Sequence, residues 1–193
     1  RAAGTFRIVE VVDELAELGM LDGRETAGAL GGVVDNSQDS NVIGGIVVGD
    51  PGENVDAIDN MFAEIGTSDL LGFVWHDFND DGEINFGESA IANAGVTLAG
   101  TDDRGNAVAA TAALTDTDGA YGFFNLRPGT YSLAETQPYG IDDGKDTPGE
   151  INGVVVGSDT TNDVFSELTL TPYSAGLNYN FGERPVTGGS VLE

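Results

Sequence analysis

The chain has 193 residues, which suits one or two domains, and 33 acidic against seven basic side chains give a formal charge of −26. So acidic a surface argues against nucleic acid and anionic membranes as partners, while a 40% hydrophobic content argues against a disordered tail. There is no cysteine for a disulfide, and no apolar run reaches the ~20 residues of a membrane span.

The first third of the chain repeats the pattern of the last third, roughly 120 residues later. The blocks AGTFRIVE, GMLDGRETAG, GGVVDN, SNVIGGIVV and IDNMFAE return in the same order as PGTYSLAE, GIDDGKDTPG, GVVVGS, NDVFSELTL and NYNFGE. Residues 1–66 are therefore interpreted as the C-terminal half of one repeat and residues 69–184 as a complete repeat. Residues 185–193 are a linker toward a next repeat, and the start at Arg1 predicts a piece of a longer or processed protein.

Residues 11–19 can be read in two ways. Taken alone, V-V-D-E-L-A-E-L-G is typical of a short acidic helix that ends at Gly19. The repeat instead places the segment in a loop between strands, where one or two helical turns can still form.

The stretch D-F-N-D-D-G-E-I-N-F-G-E, residues 77–88, matches the twelve-residue EF-hand calcium loop. Gly82 stands where the loop turns tightly and needs a positive φ. Ile84 is predicted to attach the loop to a core. The alternative is a solvated acidic turn. The predicted main calcium ligands are Asp77, Asn79, Asp81, Glu83 (through its carbonyl oxygen), Asn85 and Glu88.

The segments that flank this loop are not helical in pattern. Residues 71–76, L-G-F-V-W-H, form an apolar, aromatic and β-branched run that predicts a strand. Beyond the loop, Val96, Leu98 and Gly100 alternate with smaller residues. The loop is therefore predicted to join strands, as a calcium staple of a β domain and not as a sensor that opens helices.

Alternation with a period of two predicts an all-β fold, an antiparallel β-sandwich, over residues 69–184. Hairpin turns are predicted at Asp118 and Gly119 and at residues 104–106. The pairs predicted to share a core face are Tyr121 and Phe123, Tyr131 and Leu133, Val154 and Val156, Leu168 and Leu170, and Tyr179 and Phe181.

With these blocks the chain resembles the B-type repeats of serine–aspartate-repeat (SdrD-like) surface proteins, relatives of the collagen-adhesin B fold. The resemblance covers residues 69–184 fully and 1–66 as a half. It rests on GFVWHDFNDDGEINFGE, GVTL, TDTDGAYGFFNLRPGTY, ETQPYGIDDGKDTPG and LNYNFGE. It implies an immunoglobulin-like (transthyretin-like) sandwich of seven to eight strands that binds calcium and serves as a rigid spacer in secreted and cell-surface proteins. No wall-sorting motif is seen, so the mode of anchoring is not transferred.

The resemblance also implies more than one calcium ion per repeat. Secondary ligands are predicted on two loops, against the alternative of solvated turns: Asp116, Asp118, Asp142, Asp143 and Asp146. An intramolecular Lys–Asn isopeptide bond, known from the collagen-adhesin branch, is not expected because Lys145, the only lysine, lies in an acidic loop. His76, the only histidine, is predicted to be an exposed strand residue.

One histidine and no cysteine assemble no nucleophile set, so no enzyme and no catalytic residue is predicted. The preferred function is an extracellular, calcium-rigidified stalk, fibre or filament subunit. The alternative is an adhesin module that binds a host protein or glycan, which would need an exposed aromatic cluster, whereas Trp75 is expected in the core. Residues 1–66 are half a sandwich and should need completion. The partners predicted are neighbouring repeats or copies of the chain itself.

Overall fold

The computed structural model describes residues 3–11, 18–36, 40–49 and 56–186. The chain divides into two compact units, Arg1–Gly66 (unit 1) and Thr67–Glu193 (unit 2). All regular elements of the described residues are β strands, which confirms the predicted fold class. The short helix considered within residues 11–19 falls largely on residues 12–17, outside the described part. No helix among the described residues has the length and apolar character to cross a membrane.

The described residues of unit 1 form two small antiparallel sheets, each of two strands. In one sheet β1 pairs with β3, and in the other β2 pairs with β4. Ile43 and Ile46 of β3 are buried. The strands are β1 (Gly4–Val9), β2 (Met20–Asp22), β3 (Val42–Val48) and β4 (Glu64–Gly66).

Unit 2 is a sandwich of two sheets. The first sheet has the order β10-β16-β5-β15-β11-β12, with β8 also paired to β5, and the second has the order β13-β14-β9-β6-β7. Most pairings are antiparallel, but β15 and β16 run parallel to β5. The strands are β5 (Ser68–His76), β6 (Gly95–Asp102), β7 (Ala107–Leu114), β8 (Ala120–Leu126), β9 (Gly129–Thr136), β10 (Ile141–Asp143), β11 (Glu150–Ile151), β12 (Val154–Val155), β13 (Ser158–Thr161), β14 (Val164–Leu170), β15 (Ala175–Leu177) and β16 (Phe181–Pro185).

The core of unit 2 lies between these sheets and follows the period-two pattern of the sequence. At its centre Phe165 contacts Tyr179 and Phe181, with ring centroids 5.5 Å and 4.6 Å apart. Trp75 is buried, as predicted. The predicted core pairs are buried except for Val154, which is 63% exposed, while Val156 is partly buried against the core. β12 is too short and too near the sheet edge to bury Val154.

One of the two predicted hairpin turns is confirmed and the other is wrong. Residues 104–106 join β6 to β7, which pair antiparallel. Asp118 and Gly119 do form a turn, but the strands on either side of it, β7 and β8, belong to different sheets. The Gly119 carbonyl accepts a hydrogen bond from the Val74 N–H at 2.9 Å. The turn is therefore held against β5, and the chain crosses from one sheet to the other.

The strand pairings of unit 1 recur in unit 2 with the same register. Phe6 pairs with Ile46 and Ile8 with Ile43, just as Tyr131 pairs with Leu168 and Leu133 with Phe165. Each pair of strands carries an irregularity at the same point, where Gly45 and Glu167 have φ values of 65° and 60°. The pairing of β2 with β4 likewise matches that of β10 with β16.

Gly72 in β5 should tolerate no side chain. A Cβ at this position would lie 1.8 Å from the Tyr179 carbonyl oxygen, because β5 and the last segment of the sandwich approach closely there. We expect Gly72→Ala to lower the free energy of unfolding by about 3 kcal/mol in urea titrations. The matched control is Gly95→Ala, whose Cβ would meet nothing closer than 3.7 Å. Equal stabilities of the two variants would contradict this packing.

Candidate metal centres

The predicted calcium loop leaves β5 at Asp77, and this residue is fully buried. Its Oδ2 accepts a hydrogen bond from the Gly82 N–H at 2.7 Å and its Oδ1 one from the Asp81 N–H at 3.2 Å. Gly82 has a φ of 80°, and a Cβ there would lie 2.7 Å from Thr147 Oγ1. The glycine is therefore required both by the turn and by its neighbour.

Glu88 closes the loop from its other end. Its Oε1 accepts from the Phe78 N–H at 3.0 Å, and its Oε2 accepts from the Asn85 N–H at 2.8 Å and from Trp75 Nε1 at 3.2 Å. Both end carboxylates are thus turned into the loop and not toward solvent. This arrangement fixes the two acids that the sequence motif places at positions 1 and 12.

The middle of the loop is organised around Asp81. Its carboxylate accepts hydrogen bonds from the Glu83 N–H and from the side-chain amides of Asn79 and Asn85. These contacts, the Glu83 N–H first, hold the pKa of Asp81 below its ordinary value. The carboxylate therefore stays charged, as a cation ligand must.

Ile84 does not attach the loop to the core, contrary to the prediction. It is 53% exposed and lines, with Trp75 and Glu88, an open cavity of about 250 Å³. The loop is instead held by polar contacts to the segment after β10. Lys145 Nζ donates to the Asp81 carbonyl at 2.8 Å, and Thr147 Oγ1 donates to the Gly82 carbonyl at 2.6 Å.

A second acidic group lies inside the sandwich, where sequence reasoning did not place one. Oxygens of Glu135, Asp163 and Glu183 all lie within 4.8 Å of one another. Glu135 on β9 is 8% exposed and Glu183 on β16 is fully buried. Gln137 Nε2 donates to Glu183 Oε2, but Glu183 Oε1 and both carboxylate oxygens of Glu135 are buried without a hydrogen-bond partner. We call these three residues the buried carboxylate cluster.

Two of the predicted secondary ligands adjoin this cluster. Burial, followed by the charges of Asp163 and Asp143, raises the pKa of Asp146 to about 7. Burial, followed by a hydrogen bond with Asp143, raises the pKa of Asp163. Asp142, on the same strand as Asp143, is exposed.

Asp116 and Asp118 belong to the turn before β8 and not to this group. Asp116 Oδ1 accepts hydrogen bonds from the Asp118 N–H and the Ala120 N–H at 2.9 Å and 3.0 Å. Asp118 is exposed. Within the described residues, these contacts are those of a turn, and their assignment as calcium ligands stays a prediction.

The cluster is electrostatically costly as it stands. Burial, then Glu183, raises the pKa of Glu135 well above its ordinary value, and burial also raises that of Glu183. Buried carboxylates without a counter-charge must either bind protons or bind a cation. The three residues of the cluster offer carboxylate oxygens as ligands, and such a set suits a hard cation such as Ca²⁺.

The sequence does contain a signal for the cluster. Glu135 follows Tyr131 and Leu133 at a spacing of two, and Glu183 follows Phe181 at the same spacing. An acidic residue in phase with core residues on a strand must point into the sandwich. These acids therefore face inward on separate strands, and the folding of distant strands brings them together.

Unit 1 holds acids at the matching places. Glu10 directly follows β1, Asp22 ends β2 and Glu64 begins β4, at the positions equivalent to Glu135 within β9, Asp143 at the end of β10 and Glu183 within β16. Burial, then the charges of Glu10 and Asp22, raises the pKa of Glu64 to about 7. Glu25 stands at the position equivalent to Asp146, and Asn41 at the position equivalent to Asp163.

His76 is half-buried, which corrects the prediction of an exposed strand residue. Its ring stacks on Phe78 at a centroid distance of 5.8 Å and an interplanar angle of 3°. This contact covers one face of the imidazole at the start of the loop. The side chain thus packs against the base of the loop.

Comparison with known proteins places unit 2 in a family. The model of the SdrD B-like domain matches residues 68–183. A fibrinogen-binding protein of Staphylococcus epidermidis is 33% identical over 124 residues, which cover 60% of this chain and 11% of that protein. Serine-aspartate repeat-containing protein D of Staphylococcus aureus strain Newman is 28% identical over 152 residues, which cover 77% and 11%. The chain therefore spans about a tenth of the length of these relatives.

Among solved structures, the Bacillus anthracis TIE protein aligns with a TM-score of 0.39 and 16% identity. The alignment covers 95% of this chain and 34% of that one.

Proposed function

The chain belongs to the SdrD B-like domain family, and from this premise we propose that unit 2 is a calcium-rigidified structural module of an extracellular surface protein, in a stalk, fibre or filament. The family is one of structural modules and not of enzymes, which confirms the prediction that the chain is no enzyme. Membership of this family supports the assignment of the chain as a structural module of a surface protein. The calcium and the mechanical role rest on the contacts of the two acidic centres.

The buried carboxylate cluster is the observation that carries the proposal. Glu135 belongs to the second sheet and Glu183 to the first, so one ion bound between them would join the two sheets. In a chain without cysteine, such an ion would act where a disulfide acts in other sandwiches. It would also replace the protons that the buried carboxylates otherwise need.

Hydrogen bonds connect the predicted calcium loop to the elements that carry the buried carboxylate cluster. The Asp77 N–H donates to the Glu183 carbonyl at 2.8 Å, so the first residue of the loop is bonded to the strand that carries a cluster acid. The segment after β10 holds Asp146 near the cluster, and its Lys145 and Thr147 bind the loop backbone. Ions at the two places would therefore stiffen one continuous region.

The adhesin alternative requires an exposed aromatic cluster. Trp75, the only tryptophan, is 2% exposed, and the exposed rings of Phe86 and Tyr139 have no ring contact with another described residue. Structural bracing accounts for the buried acids, whereas ligand binding at the surface does not.

Calorimetric titration of the chelator-treated chain with calcium tests the proposal. We expect two classes of site in unit 2, of which Asp77→Asn removes the loop site and Glu183→Gln the cluster site. Asp159→Asn, at an exposed acid in β13, is the matched control and should change neither. Absence of calcium binding at millimolar concentration, or binding unchanged in both variants, would refute the proposal.

The pH dependence of stability should differ between the metal-free and the calcium-bound chain. In the metal-free chain the native state holds more protons than the unfolded state, because the folded carboxyl pKa values are raised, that of Asp146 to about 7. The contribution of these carboxyl groups to stability should therefore be complete below about pH 4 and be lost as the pH rises through 7. Calcium competes with these protons, so its stabilising effect should be larger at pH 8 than at pH 5.

Thermal unfolding of desalted, metal-free protein at pH 5 and pH 8, with and without added calcium, measures this difference. A metal-free chain that melts at a higher temperature at pH 8 than at pH 5 would contradict the raised pKa values.

A further inference from the structure

Strands β1 and β4 of unit 1 correspond to β9 and β16 of unit 2. The strands that pair with the other edges of β9 and β16 have no counterpart among the described residues of unit 1. In unit 2, the edge of β9 that faces away from β14 is paired with all eight residues of β6. Similarly, β16 is paired with β5 on one side and with β10 on the other. The matching strands β1 and β4 pair only with β3 and β2 within the described ranges.

The side chains on these strands are exposed where their counterparts are buried. Phe6 and Ile8 are 45% and 37% exposed, whereas Tyr131 and Leu133, at the same register positions, are 2% and 0% exposed. Exposed apolar side chains on an unpaired strand edge form a surface to which another strand can add. β1 already pairs with β3 in the register of β9 with β14, so an added strand needs to pair only with the other edge of β1.

In unit 2, β6 and β5 cover β9 and β16, and their side chains indicate which polypeptide the exposed surface of unit 1 can bind. β6 buries Val96 and Leu98 against the core, and its residues 97 and 98 lie opposite Ala134 and Leu133 of β9. β5 contributes Leu70 and Val74 to the same core. An occupant of unit 1 must therefore be an extended polypeptide with alternating apolar residues at this spacing.

We propose that unit 1 binds a polypeptide segment of the same kind as residues 67–125. Its strands would pair with the edges of β1 and β4 that no other described strand occupies, as β6 and β5 pair with β9 and β16. The segment adds as strands, with main-chain hydrogen bonds to β1 and apolar residues over Phe6 and Ile8. The argument rests on strand pairing and apolar side chains and not on calcium.

A fusion protein provides the test, because the equivalence of Gly4 with Gly129 makes Arg1 equivalent to Leu126. A second copy of residues 67–125 joined directly to Arg1 would therefore supply the covering strands in the register of unit 2. Hydrogen exchange of the backbone amides of β1 is compared between the fusion and the original chain. We expect about 100-fold slower exchange in the fusion, together with loss of binding of a hydrophobic dye.

The control carries Val96→Asp and Leu98→Asp in the added copy only, which leaves unit 2 unchanged. It should exchange as fast as the original chain. Two outcomes would overturn the proposal: slow exchange of β1 in the original chain as a monomer, or an added copy that stays unfolded and leaves β1 unprotected.

Discussion

Replacing Glu135 and Glu183 together by glutamine should raise the melting temperature of the metal-free chain and remove the stabilisation by calcium at the cluster. The wild-type carboxylates are buried and close together, and both have raised pKa values. Glutamine keeps their size but needs no proton and offers no charge to a cation. At a free calcium concentration 100 times the dissociation constant of the site, the stabilisation that the double variant loses is about 2.7 kcal/mol.

Scanning calorimetry of the wild type and the double variant, each with calcium and with chelator, measures both effects. Asp159→Asn is the matched control, because it neutralises an exposed acid in β13 that is not among the predicted ligands. The opposite result, a double variant that is less stable without metal yet gains as much from calcium as the wild type, would exclude the cluster as an ion site.

Truncation of Phe165 to alanine should be the most damaging single change in unit 2, with a loss of about 3–5 kcal/mol in the free energy of unfolding. Phe165 is fully buried between the sheets and contacts Tyr179 and Phe181, at ring distances of 5.5 Å and 4.6 Å. Its removal would leave a cavity at the point where both sheets meet. Urea titration followed by circular dichroism gives the change directly.

Phe86→Ala is the matched control, since Phe86 lies in the predicted calcium loop and its side chain is fully exposed. It should change the free energy of unfolding by no more than about 0.5 kcal/mol. Similar losses for the two variants would mean that Phe165 is not at the centre of the core.

The loop could be predicted from sequence because its ligands are local. Six candidate ligands and a glycine stand within twelve residues, so one motif specifies both chemistry and turn. The buried carboxylate cluster could not be found in this way. Its acids come from β9, β16 and the turn before β14, and only the packing of two sheets brings them together.

The errors at Ile84 and at Asp118 have a common cause. Both predictions rest on local patterns, an apolar position in a loop and an Asp-Gly turn between two strands. The structure shows that Ile84 lines an open cavity and that the turn at Asp118 crosses between sheets. Local patterns specify a turn, but long-range packing decides where the turn leads.

The internal similarity of the sequence carried more information than any single element. The blocks that match in sequence are those that form β1 with β3 and β9 with β14, in one register. Strand assignments from short apolar runs are uncertain on their own. Two runs that recur together in the same order imply a paired unit, and this is why β1 and β3 could be anticipated in so glycine-rich a chain.

The most direct test of calcium bracing is the melting temperature of the chain in millimolar calcium against that in chelator at pH 7.5. With two occupied sites in unit 2, each contributing about 2.7 kcal/mol at 100 times its dissociation constant, we predict that calcium raises the melting temperature by more than about 10 °C. Equal melting temperatures in calcium and chelator would contradict the account, since the buried acids would then be balanced without a cation.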